Sequence, residues 1–331
     1  MSFIEENFMK QKMMRTVLIA LMPIIIFSVY FNGLRALILT IINIMFAFIT
    51  EYLFQKKILK GGKVSEAVIV TAILYSMTLP VSIPIWMSIS GIIFAVFFGK
   101  MVYGGFGRNV FNPALVGRAF VYINFPEPMT VHWNQVPTFS DFPGGFAKWV
   151  FPQVDVTSTA TPMLAFRNEG LITKINDLLF GVVPGVMGET FKILIIIAAI
   201  YLIYKKVASW QVMLGCLIGF TGLTVLFNLM GVESLANPLE GILQGGFLFG
   251  SVFMATDPIT TGKTPLGRWI FGILVGSITI IIRGFALFSG GMMFAILIAN
   301  TFIPIVDYAV NESKKRKKAK QEVAGVWKKI Q

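Results

Sequence analysis

The feature that most constrains this chain is a succession of apolar runs with very little charge inside them. They are Thr16–Phe31, Ala36–Phe54, Ser65–Leu79, Pro84–Gly99, a short one at Ala114–Phe125, then Thr190–Tyr204, Trp210–Met230, Gly241–Ala255, Trp269–Ile282 and Phe285–Tyr308. A membrane-crossing helix needs roughly 17–25 mostly apolar residues, fewer where it is broken. Composition agrees: 56% of the residues are hydrophobic and 13% charged, against about 45–50% and about 25% in soluble domains. One soluble core cannot absorb that much apolar surface. The expected fold class is therefore an all-α integral membrane protein of about ten transmembrane helices, some of them broken.

The positions of the basic residues orient these spans. With the N-terminus in the cytoplasm, the inside segments carry Lys10, Lys12 and Arg15, then Lys56, Lys57, Lys60 and Lys63, then Lys100, Arg108 and Arg118. Lys205 and Lys206, Lys263 and Arg268, and the tail Lys314–Lys320 complete that side. The opposite side holds Arg35, Lys148, Arg167, Lys174, Lys192 and Arg283. This bias follows the positive-inside rule and puts both termini in the cytoplasm. It holds only if the short fifth run counts as a half or broken span. The net charge of +12 is thus read as topology and attraction to anionic lipid, with no nucleic-acid partner. The basic N-terminal stretch meets the first apolar run directly, without a small-residue cleavage site, and reads as a first anchor.

Residues 1–331 form one polytopic membrane domain in this reading. A first half, 1–125, and a second half, 171–310, hold about five spans each, and 311–331 is a basic cytoplasmic tail. Between the halves, 126–170 is an external loop rich in Pro, Gly, Asp and aromatic residues. Five plus five spans would make the halves inverted repeats. Ser76-Met-Thr-Leu-Pro80 at the end of the third run is echoed by Met254-Ala-Thr-Asp-Pro258 at the end of the eighth. Inverted repeats place polar sites at such helix breaks.

A single Cys, Cys216, and a single His, His132, exclude an intramolecular disulfide and a haem held by two histidines. No metal site and no acid–base catalytic residue is expected. Three polar segments stand out instead. In Asp155-Val-Thr-Ser-Thr-Ala-Thr-Pro162, four hydroxyls fall within five residues before a proline. That pattern suits a turn capping the next helix, or an attachment site where a helix start faces phosphate. The stretch from Gly107 to Phe120 contains Asn109, Asn112, Pro113 and Arg118. It can be a loop with Asn caps, or a polar pocket whose amides bind a ring bearing N–H and C=O groups. Asp257, in the segment Ser251–Pro265, closes an apolar span. It can bond nearby backbone at a helix end, or serve function at membrane depth. Glu66 can lie in a cation path or be an interfacial partner of Lys63, Arg283 can snorkel to the outer surface, and Met292–Met293 reads as packing.

These three segments, in this order, resemble the RnfD/NqrB family of membrane flavoproteins, and the likeness extends across nearly the whole chain. The resemblance implies FMN joined by a phosphoester to Thr161, in a setting that includes Asp155, Ser158, Thr159 and Pro162. It also implies a second, noncovalent flavin, riboflavin, against Asn109, Asn112 and Asp257. Arg118, in the same segment as the asparagines, is a further flavin-binding candidate. With its compact length, the chain is most similar to RnfD, the electron-transfer subunit of the Rnf ferredoxin:NAD oxidoreductase, which couples redox to Na⁺ or H⁺ transport. The implied partners are other subunits, one bearing flavin and others iron–sulfur clusters, in a bacterial or archaeal cytoplasmic membrane. An NqrB-like component of a Na⁺-translocating NADH:quinone reductase is the alternative. A colourless secondary transporter or channel of similar fold is a further one.

Overall fold

A computed structural model describes residues 8–58, 62–130, 161–189, 191–286 and 291–330. A two-residue strand β1 (Phe8–Met9) precedes α1 (Lys12–Asn32) and α2 (Leu34–Lys57). At 21 and 24 residues, each is long enough for a bilayer core of about 30 Å. They turn about one residue. Gly33 takes φ 78, and its N–H donates to the Val29 carbonyl, a left-handed exit that favours glycine. Strand β2 (Val64–Ser65) then pairs in parallel with β1.

The next helix, α3 (Ala67–Met77), is only 11 residues long and is buried on nearly every side. A helix apolar all round belongs inside a bundle. Beyond it the chain leaves helical geometry within the protein interior. The exposed carbonyls there find donors: Arg35 reaches Val81 O at 2.8 Å and Ile83 O at 2.9 Å, and Met187 N donates to Leu79 O. Irregular backbone at membrane depth is tolerated only when it is satisfied in this way.

Then come α4 (Ile85–Val96), continued by a π-helical turn at Phe97–Met101, and α5 (Pro113–Asn124), followed by the short α6 (Pro126–Thr130). In the second part, α7 (Pro162–Glu169), α8 (Ile175–Phe180) and a 3₁₀ turn at Met187–Glu189 lead to α9 (Lys192–Tyr204) and α10 (Trp210–Leu229). The chain continues through α11 (Pro238–Leu243) and α12 (Phe247–Phe249), a π-helical turn at Gly250–Met254, α13 (Pro265–Phe285) and α14 (Gly291–Ile330). Helices α10 and α13 lie close because glycines face backbone. A Cβ on Gly219 would come 2.3 Å from Ile273 O, and one on Gly276 2.2 Å from Cys216 O. Small residues four apart permit such approach between membrane helices.

Among the described residues, five helices are long and apolar enough to cross a membrane: α1, α2, α10, α13 and the first part of α14. Three shorter apolar helices, at Ala67–Met77, Ile85–Met101 and Lys192–Tyr204, coincide with the third, fourth and sixth runs. The protein is accordingly a multi-pass, all-α membrane protein. The eighth run differs from its expected form. It is not a continuous span but is broken between α11 and α12 and wound as a π turn before Ala255. Helix α14 continues past the tenth run into the basic tail.

Candidate functional site

Two cavities contain six of the residues singled out from the sequence: Asn109, Asn112 and Asp257 line the first, and Arg118, Thr161 and Pro162 the second. The cavities lie at opposite ends of the same helices. In α5, Pro113 lines the first and Tyr122 the second. In α9, Leu202 lines the first and Lys192 the second. Ten residues of α9 amount to ~15 Å along the axis. A smaller apolar gap that includes Thr78, Met254, Met292 and Met293 shares Arg118 and Gly246 with the second cavity.

The first cavity gathers Asn109, Asn112 and Asp257, with Lys100 beside them. Asn112 does two jobs. Its Oδ1 accepts from Ala114 N at 3.1 Å and so caps α5, while its Nδ2 reaches Met254 O at 3.4 Å, across the interface with the broken eighth segment. Asn300 reinforces that junction by donating to Thr260 O at 3.1 Å. Asn109 donates to Phe111 O at 3.0 Å. Asp257 holds its own turn, accepting from Ile259 N at 3.0 Å and Thr260 Oγ1 at 3.3 Å. Behind this cavity, Lys100 Nζ lies 2.6 Å from Glu51 Oε2 and 2.6 Å from Ser65 Oγ, with both charged groups buried. Lys100 is therefore not a loop charge; it belongs to the protein interior.

The second cavity contains Thr161 and Pro162, the first residue of α7. Thr161 is the N-cap residue of α7, yet its side chain makes no capping bond. Its buried Oγ1 has no hydrogen-bond partner among the described residues. Of the two readings of this segment, the capping one thus does not describe the hydroxyl. Asp155, Ser158 and Thr159 lie outside the described residues. Around Thr161 stand Arg118, Glu189, Lys192 and Arg283.

Two of these depart from expectation. Arg118 is not a charge of an inside loop. It sits within α5 and lines the cavity of Thr161, not the asparagine cavity, because it stands five residues beyond Pro113 towards the other end of α5. Arg283 does not snorkel. It is 6% exposed, donates to Gly241 O at 2.6 Å and Gln244 O at 3.0 Å, and covers the Phe220 ring at 5.3 Å. The break after α11 leaves those carbonyls open, and an arginine fork satisfies both. Glu189, Lys192 and Arg283 were not singled out as site residues from the sequence. The signal for Arg283 was present, since a charge interrupting an apolar run is a functional flag at membrane depth.

Elsewhere, Glu66 pairs with Arg15, whose Nη2 is 2.6 Å from Oε1, and also accepts from Gln11 N. The hydrogen-bonded Arg15 guanidinium holds the Glu66 carboxyl below the ordinary carboxylate range. Asp307 accepts from Lys263 N and Thr264 N, tying the loop after Asp257 to α14.

This arrangement can be set beside known proteins. The family model described as the NQR2, RnfD, RnfE family matches residues 1–316. The chain belongs to that family. Among its relatives is a component of the Na⁺-translocating NADH-quinone reductase of Chromohalobacter salexigens. It is 36% identical over 284 residues, covering 83% of this chain and 65% of that protein. The protein of the same name from Ectopseudomonas mendocina is 37% identical over 286 residues, covering 82% and 66%. That from Yersinia pestis is 35% identical over 283 residues, covering 80% and 64%. The chain thus spans just under two thirds of the length of these relatives. They carry the quinone-reductase name and not the RnfD name expected from the sequence.

Proposed function

We propose that this chain is a membrane flavoprotein that carries electrons within a redox-driven, ion-translocating oxidoreductase of several subunits. FMN would be held covalently on Thr161 and a second flavin noncovalently against Asn109, Asn112 and Asp257. The observation that carries this reading is the Thr161 hydroxyl. It is buried, without a partner among the described residues, and flanked by arginines. A buried polar atom without a partner costs about 1–3 kcal/mol, so a hydroxyl kept in that state suits one consumed by an ester bond. The first cavity would present a neutral ring edge with amides held in place by the backbone, Asn109 by Phe111 O and Asn112 by Met254 O. When bound, the flavins supply the one-electron steps; the polypeptide supplies position, burial and charge.

The cavities sit ~15 Å apart along α9, which divides a bilayer core of about 30 Å into shorter steps. Arg118 and Arg283 would orient the phosphoester, and Asn112 would fix the ring while joining α5 to the break before Asp257. The relatives favour the NADH-quinone reductase type of complex, with Na⁺ as the ion. The ferredoxin:NAD type, moving Na⁺ or H⁺ with flavin-bearing and iron–sulfur partner subunits, is the second member of the same family reading. Membranes containing the assembled complex separate the two: NADH-driven quinone reduction supports the first, and ferredoxin-driven NAD reduction the second.

The decisive test is flavin fluorescence of the denatured polypeptide on a gel, wild type beside Thr161→Ala, made in a host that attaches flavin. A fluorescent wild-type band and a dark variant are expected. Dark bands in both would remove the central support and bring the transporter reading forward. Fluorescence in both would move the attachment to another residue.

A further inference from the structure

The second cavity has an organisation that attachment to Thr161 does not by itself require. Besides Thr161 Oγ1, the Nε atoms of Arg118 and Arg283 are buried there without partners among the described residues. Arg283 is fixed in advance. Two backbone carbonyls hold its Nη1 and Nη2, Phe220 supports its face, and the loop folds closely around it. Gly245, at φ 61, shows how closely: a Cβ there would lie 2.9 Å from Arg283 Nη2. Among the described residues, the charged groups lining the cavity are Arg118, Lys192 and Arg283 against Glu189, three cations to one carboxylate. Lys192 Nζ is already engaged by the Glu189 carbonyl. The lining carries an excess of positive charge, and two of its cations, Arg118 and Arg283, each keep an N–H without a partner among the described residues. Charge-assisted hydrogen bonds to a phosphate oxygen are the interaction that such donors favour.

The first cavity is the opposite case. Among the described residues, its one lining cation, Lys100, is neutralised by Glu51, and its other ionisable lining residue is the acid Asp257.

We propose that Arg118 and Arg283 form a standing phosphate-recognition site, so that this cavity selects a phosphorylated flavin over its dephosphorylated form independently of the bond to Thr161. The inference rests on the covalent-flavin reading and extends it. The arginines, and not the threonine, decide which flavin enters which cavity.

The test uses the full-length Thr161→Val protein, which keeps the shape of the side chain and cannot form the ester. Purified in detergent and saturated with riboflavin to fill the first cavity, it is titrated with FMN and, separately, with further riboflavin while flavin fluorescence is followed. The expected result is a second site that prefers FMN by at least about tenfold, weakening as salt is raised. Adding Arg283→Met, or separately Arg118→Met, should erase the preference, whereas Arg283→Lys should retain part of it. Bound riboflavin in the first cavity reports that each variant is folded. Equal affinity for the two flavins in Thr161→Val, or a preference that survives both methionine variants, would overturn the proposal. A wild-type chain without covalent flavin would instead overturn the reading beneath it, so the two failures are distinguishable.

Discussion

The two cavities lie at opposite ends of α5 and α9 and treat their polar groups in opposite ways. In the first, Lys100 has Glu51 and Ser65, Asn112 caps α5 and reaches Met254, and Asp257 closes its own turn. In the second, three buried atoms on Thr161, Arg118 and Arg283 are unmatched among the described residues. A region whose polar groups satisfy one another is stable without a ligand, and removing any member harms it. A region whose polar groups wait for a partner bears a cost in the unliganded protein, and removing a member can relieve it. The contrast separates a cavity whose polar groups are matched within the protein from one in which three of them are not, among the described residues.

That contrast can be broken by substitution. The largest effect is expected at Lys100→Met, which strands the Glu51 carboxylate in the interior. Removing one partner of a buried pair costs roughly 3–5 kcal/mol, and thermal unfolding in detergent should show it as a large drop. A variant as stable as wild type would mean that water reaches Glu51, and the picture of a self-satisfied first cavity would fail. Thr161→Val should act in the other direction. In protein made without attached flavin, it removes an unmatched hydroxyl and should leave stability unchanged or raise it by about 1 kcal/mol. A clear loss of stability would show that the hydroxyl has a structural partner.

The smallest effect belongs to Glu66, whose partner Arg15 is half exposed and screened by solvent. Its carboxyl is held below the ordinary range, so its contribution is complete above the unfolded-state value and is lost as pH falls through the lower folded-state value. The wild type and Glu66→Gln should therefore differ slightly in unfolding temperature at neutral pH and converge in acid. A gap that widens in acid would contradict the pairing.

Much of the fold is legible in the chain because hydropathy acts locally. Runs such as Trp210–Met230 and Trp269–Ile282 coincide with α10 and α13 within a few residues, since a backbone in lipid has few choices other than helix. The short Ala114–Phe125 run coincides with the equally short α5 for the same reason. The run Gly241–Ala255 behaves differently. Its composition is apolar enough for a continuous span, but the break after α11 is stabilised by Arg283, some forty residues further on. No local window contains that information.

For the site, the sequence by itself determined the residue types: hydroxyls before Pro162, amides at Asn109 and Asn112, and an acid at Asp257. It also determined the family, because those segments follow one another in a fixed order. Only the tertiary structure decided how they are grouped. It set Arg118 with Thr161 and apart from the asparagines, brought Arg283 inward, and paired Lys100 with Glu51 across the π turn after α4 and α2. The physical reason is that charge in a low-dielectric interior must be matched by whatever donor or acceptor the packing brings near, and packing partners lie far apart in sequence. Hydropathy determines that a segment enters the membrane; the contacts between helices determine which of its polar atoms are matched there and which are not.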